Sequence, residues 1–226
     1  MLDSLFNNFE NIIVFDVETT GIDPREEEII EIAALRTVCK HGNLVIEDEF
    51  NLLINLTPDK HLPAMIADLT GITEKMLADE GVSKNEACIR LADILSHRDS
   101  LFVAYNAQFD LCFLYYFLNQ FQKAAILKNF KMLDALTIYK DRKPYPHKLS
   151  DAVNAYSLNT PNTHRAIDDV KTTFELLCKM GEETDDLNRY VNLFGYNPKY
   201  GVPSPKISSV KYLPQEYDVN IKLYEI

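Results

Sequence analysis

Asn11-Ile-Ile-Val-Phe-Asp-Val-Glu-Thr-Thr-Gly21 sets two carboxylates, Asp16 and Glu18, one residue apart inside an otherwise apolar run. Side chains alternate across a strand, so positions i and i+2 face the same way, and a run this apolar reads as a central strand covered on both sides. Two like charges buried on one face are costly, because desolvation and mutual repulsion each raise a carboxylate pKa. A bound divalent cation reverses that balance. The pair then runs into Thr19-Thr20-Gly21, a turn whose glycine is free to take positive φ or to let a ligand approach the backbone. A bare Asp-x-Glu is a weak signal in a chain with 34 acidic residues. Its place at the end of a buried strand points to metal, against the plainer reading of two strand-end acids facing water.

Outward from this strand, Glu28 to Val38 and Leu44 to Leu56 read as further strands joined by a hairpin turn at His41-Gly42-Asn43. Pro63 stands near the start of a helical segment, and Leu69-Thr-Gly-Ile-Thr73 breaks it from a second short helix. Ser83 and Glu86 form a capping box ahead of Ala87, Leu91, Ile94 and Leu95 at helical spacing, and Leu101 to Tyr105 resumes as strand. From Gln108 the period is helical again, and Asp110 heads the apolar stripe Phe113, Leu114, Phe117, Leu118 and Phe121. The helix dipole alone favours an acid in a first turn, so Asp110 has two readings. Phe130 to Leu133 reads as a strand, Asp134 as a helix cap, Leu149 to Tyr156 as a helix, and Ala166 to Lys179 as a longer one with Ile167, Val170, Phe174 and Leu177 toward the core. In its opening, Thr163-His-Arg-Ala-Ile-Asp-Asp-Val170, the helical wheel sets Asp169 among Ala166, Thr172 and Thr173 and Asp168 on the other flank, without choosing between them.

With 226 residues and 46% hydrophobic content the chain buries a full core. We divide it into a domain over residues 1–181 and an appendage over 182–226, a C-terminal helix followed by an extended tail rich in Pro, Tyr and Lys. A net charge of −11 argues against a bulk electrostatic grip on nucleic acid, so a bound polyanion needs local basic patches or bridging metal ions. Cys39, Cys88, Cys112 and Cys178 lack Cys-x-x-Cys spacing and read as reduced core thiols rather than a zinc site. No apolar leader or membrane-length apolar stretch is present, so the expected location is cytoplasmic, with no membrane partner. Lys140, Arg142, Lys143, His147 and Lys148 read first as a solvated face and second as phosphate contacts. Tyr196, Lys199, Tyr200, Lys206, Lys211 and Tyr212 in the tail read first as a strap packed on the domain, ahead of a single-strand-binding or polymerase-docking peptide.

Taken together, Asp16-x-Glu18-Thr-Thr-Gly, Asn106-Ala-Gln-Phe-Asp110 and His164-Arg-Ala-Ile-Asp-Asp169 resemble the three ordered motifs of the DEDDh 3′-to-5′ exonucleases, in the branch of the DNA polymerase III epsilon (proofreading) subunit. Leu69 to Thr73 is similar to the segment that cradles the substrate's 3′ end in that family. The resemblance covers roughly residues 10–180 and implies an α/β, ribonuclease-H-like fold, a mixed central sheet with helices on both faces. It implies two divalent cations, Mg²⁺ or Mn²⁺, bridged by Asp16, with Glu18 and Asp169 completing the water-activating site and Asp110 serving the second ion. Four carboxylates then balance two dications. His164 becomes the general base, a role for which imidazole, titrating near neutral pH, is suited. Thr19, Thr20, Gly21, Thr70, Gly71, Ile72, Tyr105, Asn106 and Phe109 become the substrate-binding set. Many relatives carry His where this chain has Tyr105, whose ring still offers a stacking face.

The implied activity is metal-dependent hydrolysis from the 3′ end of single-stranded or frayed DNA, releasing nucleoside 5′-monophosphates. Two rivals stand beside it: a stand-alone 3′-to-5′ exoribonuclease trimming RNA ends, and a non-catalytic module binding nucleic acid or a polymerase. The filled catalytic positions speak against the second, and 2′-OH recognition separates the first only through contacts the sequence does not locate.

Overall fold

The apolar run that carries Asp16 and Glu18 forms β1 (Asn11–Thr19), the middle strand of a five-stranded sheet in a computed structural model that describes residues 2–160, 163–215 and 221–226. β2 (Ile29–Lys40) and β3 (Asn43–Leu53) continue it as an antiparallel meander, while β4 (Ser100–Ala104) and β5 (Lys131–Asp134) run parallel to β1 on its other side, in the order β3-β2-β1-β4-β5. The helices are α1 (Asp3–Phe6), α2 (Ala64–Thr70), α3 (Glu74–Glu80), α4 (Lys84–Leu95), α5 (Ala107–Gln120), α6 (Ala135–Arg142), α7 (Leu149–Tyr156) and α8 (Ala166–Glu183). This is the mixed sheet with helices on both faces that the resemblance implies.

Strand alternation assigns the two faces. Ile13, Phe15 and Val17 pack with Leu91 and Ile94 of α4 and Phe113, Leu114 and Phe117 of α5. Ile12 and Val14 pack with Ile138 and Tyr139 of α6 and Val170, Leu177 and Met180 of α8. The same parity puts Asp16 and Glu18 on the α8 side. β4 pairs with β1 only from Asn11 to Val14, so beyond Val14 the strand has a neighbour on the β2 side alone. The open edge this leaves, outside the carboxyl end of a parallel pair, is where ligand crevices form in such sheets.

Local signals place the helices. Ser83 accepts a hydrogen bond from the Glu86 N–H at the start of α4, and Asp134 caps α6 by accepting from the Leu136 N–H. Gly71 ends α2 in the left-handed conformation at φ 69°. α8 buries Val170 and Leu177 of the expected stripe and packs Ile167 and Phe174, half-buried, against the same core, with Ala166, Asp169, Thr172 and Thr173 buried beside them.

After α8 the described residues contain no further α-helix. The C-terminal helix expected there is replaced by 3₁₀ turns at Leu187–Tyr190 and Leu223–Glu225, and β6 (Leu193–Tyr196) pairs in parallel with β7 (Lys211–Pro214). The tail packs as a strap: Tyr190, Leu193 and Leu223 join the core on the α8 side, and Phe194 and Val210 join the other. Asp141, buried on α6, ties it down by accepting from Tyr190 Oη (3.0 Å), Gln215 Nε2 (2.6 Å) and the Leu223 N–H (2.6 Å). Of the cysteines Cys88 and Cys112 are buried as expected, but Cys39 is exposed at the end of β2; all four are free. Among the described residues no helix is long and apolar enough to cross a membrane.

Candidate active site

At the open edge of β1 three of the four predicted acids meet. Ligand oxygens of Asp16, Glu18 and Asp169 all lie within 4.8 Å of one another, Asp169 buried and the other two half-buried. Asp169 arrives from the first turn of α8, where the structure makes the choice between neighbours that the helical wheel leaves open: Asp169 faces the cluster, and Asp168 turns aside to accept from Thr163 Oγ1 (2.5 Å). Asp110, buried in the first turn of α5, adjoins the three. Its Oδ1 accepts from the Val17 N–H at 3.2 Å, a donor that lies past the end of the β4 pairing.

Crowding shows in the acidities. Burial, then the charges of Asp110, Glu18 and Asp169, push Asp16 well above the usual carboxylate range. Glu18 is pushed up to about 8 by burial and then by Asp169 and Glu31. Asp110 also rises to about 8, chiefly through burial, against the opposing pull of its backbone hydrogen bonds. Without a counter-ion, burial and mutual repulsion favour the protonated carboxyls. That is the donor chemistry of a hard divalent cation site: oxygen ligands only, half-shielded from water, with charge to be neutralised.

The surrounding predicted residues divide by environment. Thr19 and Thr20 are buried and build the turn after β1: Thr19 Oγ1 donates to the Gly21 carbonyl (2.6 Å), and Thr20 Oγ1 contacts Glu27 while accepting from the Glu28 N–H (2.9 Å). Gly21 does not take positive φ, and the close approach it permits is that of the Glu27 side chain, 2.8 Å from where a Cβ would stand. Asn106 is exposed at φ 67°, and Phe109 is half-buried beside Phe113. Tyr105 is half-buried with its hydroxyl donating to the His147 carbonyl (2.8 Å). Thr70 and Ile72 are buried, Ile72 within a separate cluster with Ile30, Leu53, Leu62 and Leu77; Gly71 alone of that trio reaches the surface, next to exposed Leu69. His164 is exposed at φ 56°, on the turn that leads into α8. In the basic run, Arg142 pairs with Asp186, and Lys143 with Glu183 (2.7 Å), so both are engaged within the fold.

Two acids outside the predicted set support this geometry. Asp134 Oδ1 accepts from the Asn106 and Ala107 N–H groups at 2.9 and 3.1 Å, fixing the turn that delivers Asp110. Glu31, fully buried on β2 and opposite Glu18 in register, binds Arg165 and the Ala166 N–H. The signal for Glu31 is a lone charge within Ile29-Ile-Glu-Ile32, but only the strand pairing shows which acid it faces.

Comparison with known proteins matches residues 13–177 to the model of the RNase T exonuclease family. The PolC-type DNA polymerase III of Bacillus subtilis is 33% identical over 180 residues, 76% of this chain and 11% of that protein. The 3′-5′ exonuclease DinG of the same organism is 34% identical over 188 residues, 80% of this chain and 18% of that protein. Among solved structures, Escherichia coli exonuclease I with a dT13 oligonucleotide aligns with TM-score 0.67 at 19% identity over 76% of this chain and 41% of its own. A zinc-bound exonuclease I complex with single-stranded DNA aligns with TM-score 0.68 at 17% identity, over 80% and 42%. The chain thus spans less than a fifth of these sequence relatives and under half of the structural ones, in the same ribonuclease-H-like fold. With residues 13–177 matched, well over half of the chain, the chain belongs to the RNase T exonuclease family.

Proposed function

We propose that the protein is a divalent-metal-dependent 3′-to-5′ exonuclease that releases nucleoside 5′-monophosphates from single-stranded or frayed DNA ends. The observation that carries this reading is the meeting of Asp16, Glu18 and Asp169 within 4.8 Å, with Asp110 alongside. These four would hold two cations, Mg²⁺ or Mn²⁺. When bound, such ions neutralise the carboxylates and favour attack of water on a phosphodiester by stabilising the charge that develops. His164, exposed on the turn that leads into α8, would take the proton of the attacking water at an imidazole nitrogen. Asn106 and Phe109 would receive the terminal nucleotide, Phe109 by stacking, and the ring of Tyr105 would form a wall behind them. Thr19, Thr20 and Gly21 would shape the opposite lip through their turn, and the exposed Gly71 backbone, seated on Thr70 and Ile72, would border the 3′ end.

DNA is the substrate favoured by the likeness to PolC-type DNA polymerase III and to exonuclease I, and a polymerase is the class of partner that the PolC-type relatives suggest. The test is a product ladder from a 5′-labelled single-stranded deoxyoligonucleotide with Mn²⁺, run beside the matched ribo-oligonucleotide. Shortening from the 3′ end that stops with EDTA, resumes with added Mn²⁺ and vanishes in Asp16→Ala is expected. Undiminished degradation by Asp16→Ala would overturn the reading, and faster cutting of the ribo strand would reverse the substrate preference.

A further inference from the structure

Among the described residues, Glu31 is the one fully buried carboxylate beside the site that the proposed reaction does not use. It is 0% exposed and faces Glu18 across the β1–β2 ladder, so it adds to the negative charge there. Its partners come from the start of α8 and from β3. Arg165 Nη2 donates to Oε1 at 2.7 Å and Nε to both oxygens at 3.2 and 3.1 Å; the Ala166 N–H donates to Oε2 at 3.0 Å, and Asn51 Nδ2 to Oε1 at 3.0 Å. The Ala166 N–H is an orphan donor at the start of α8, whose own N-cap residue supplies no side-chain acceptor. Glu31 therefore caps α8 from a neighbouring strand.

The segment this anchors is the one that delivers two proposed site residues. Asp169 lies in the first turn of α8, and His164 immediately precedes Arg165. Further upstream in the sequence, Glu175 of α8 accepts from the N–H groups of Asn159 and Thr160 at 3.0 Å. Burying an ion pair is a poor route to stability, since desolvation offsets most of the attraction, and apolar residues of similar volume hold a fold at least as well. What a bidentate Arg–carboxylate pair does supply is fixed geometry.

We propose that Glu31 and Arg165 act as one clasp that positions the reaction's groups, locking α8 and the His164 turn against β1 so that Asp169 and His164 stand in register with Asp16 and Glu18. The proposal rests on the nuclease reading above. It differs from a purely electrostatic role in the sign of its effects. If the two side chains acted only as charges on bound cations, removing Glu31 would weaken Mn²⁺ binding and removing Arg165 would tighten it. A clasp fails in the same way whichever half is lost.

The experiment compares Glu31→Gln, Arg165→Met, the double variant and Arg165→Lys, measuring kcat and KM on the single-stranded deoxyoligonucleotide and Mn²⁺ affinity by electron paramagnetic resonance. Each of the first two is expected to lower kcat about 10–100-fold with KM changed less than about threefold, as for a misplaced catalytic group. Mn²⁺ affinity should move in the same direction in both, and the double variant should be no worse than the worse single, because the second change removes nothing further. Arg165→Lys keeps the charge but not the fork; it should melt like the wild type and still lose turnover, which decides the matter where another variant fails to fold. Opposite shifts in Mn²⁺ affinity, additive losses in kcat, or an undiminished kcat in Arg165→Lys would overturn the clasp. A wild type that binds Mn²⁺ yet degrades nothing would overturn the nuclease reading instead, and the direction of the Mn²⁺ shifts would still judge the clasp.

Discussion

Replacing Glu18 by glutamine should make the metal-free protein more stable at alkaline pH. Glu18 is held at about 8 in the fold against an ordinary 4.5, and Asp110 at about 8 against 3.8. A folded-state pKa above the unfolded one means that the native chain keeps protons the unfolded chain has released. Stability is therefore full below about pH 4.5 and is lost as the pH rises through about 8. For Glu18 the displacement sets an upper bound on the order of 5 kcal/mol at about 1.4 kcal/mol per tenfold, and relaxation with water entry into the half-buried site brings the expected gain to about 1–3 kcal/mol. The acids whose pKa is lowered, Glu28, Glu47, Glu175 and Glu183, lose their contribution only as the pH falls below the ordinary carboxylate range, outside this window. Urea unfolding in EDTA at pH 5 and pH 8.5 measures the effect. Glu18→Gln should exceed the wild type only slightly at pH 5 and clearly at pH 8.5, and added Mn²⁺ should stabilise the wild type more than the variant. A difference that does not grow with pH would refute the crowding of these acids.

Three further outcomes follow from the same structure. His164→Ala should lower turnover of the labelled oligonucleotide by about 10²–10⁴-fold while Mn²⁺ affinity is kept, the range for loss of a general base; unchanged turnover would remove His164 from the mechanism. Asp141→Ala leaves the Tyr190 hydroxyl, the Gln215 amide and the Leu223 N–H without their buried acceptor, and should lower the unfolding free energy by about 2–4 kcal/mol in urea melts. At Gly81→Ala the new methyl would collide with the Leu77 carbonyl and the Asn55 side chain, for a loss of about 1–3 kcal/mol read as a lowered Tm.

The central strand and the helices that carry the site are legible in the sequence because burial there is extreme. An acid inside Ile-Ile-Val-Phe or at the head of a Phe/Leu stripe breaks a strong pattern, so Asp16, Glu18 and Asp110 stand out. Asp169 needs the family's spacing, since two adjacent acids in a first turn are equally favoured by the dipole. Glu31 is hidden for a different reason: its burial depends on the register of β2 against β1, which hydrophobic alternation alone does not reveal. The tail is the least legible part. Side-chain-to-backbone bonds such as Lys222 Nζ to the Asp141 carbonyl (2.6 Å) and Gln215 Nε2 to the Thr137 carbonyl (2.8 Å) hold it in place, and such bonds leave no period in the sequence.

The most direct test is anomalous diffraction from crystals soaked in Mn²⁺. A peak bounded by the carboxylates of Asp16, Glu18 and Asp169, with Asp110 beside it, is the expected result. Carboxylates turned into separate regions, or full Mn²⁺ occupancy elsewhere with nothing among these residues, would contradict the proposed site.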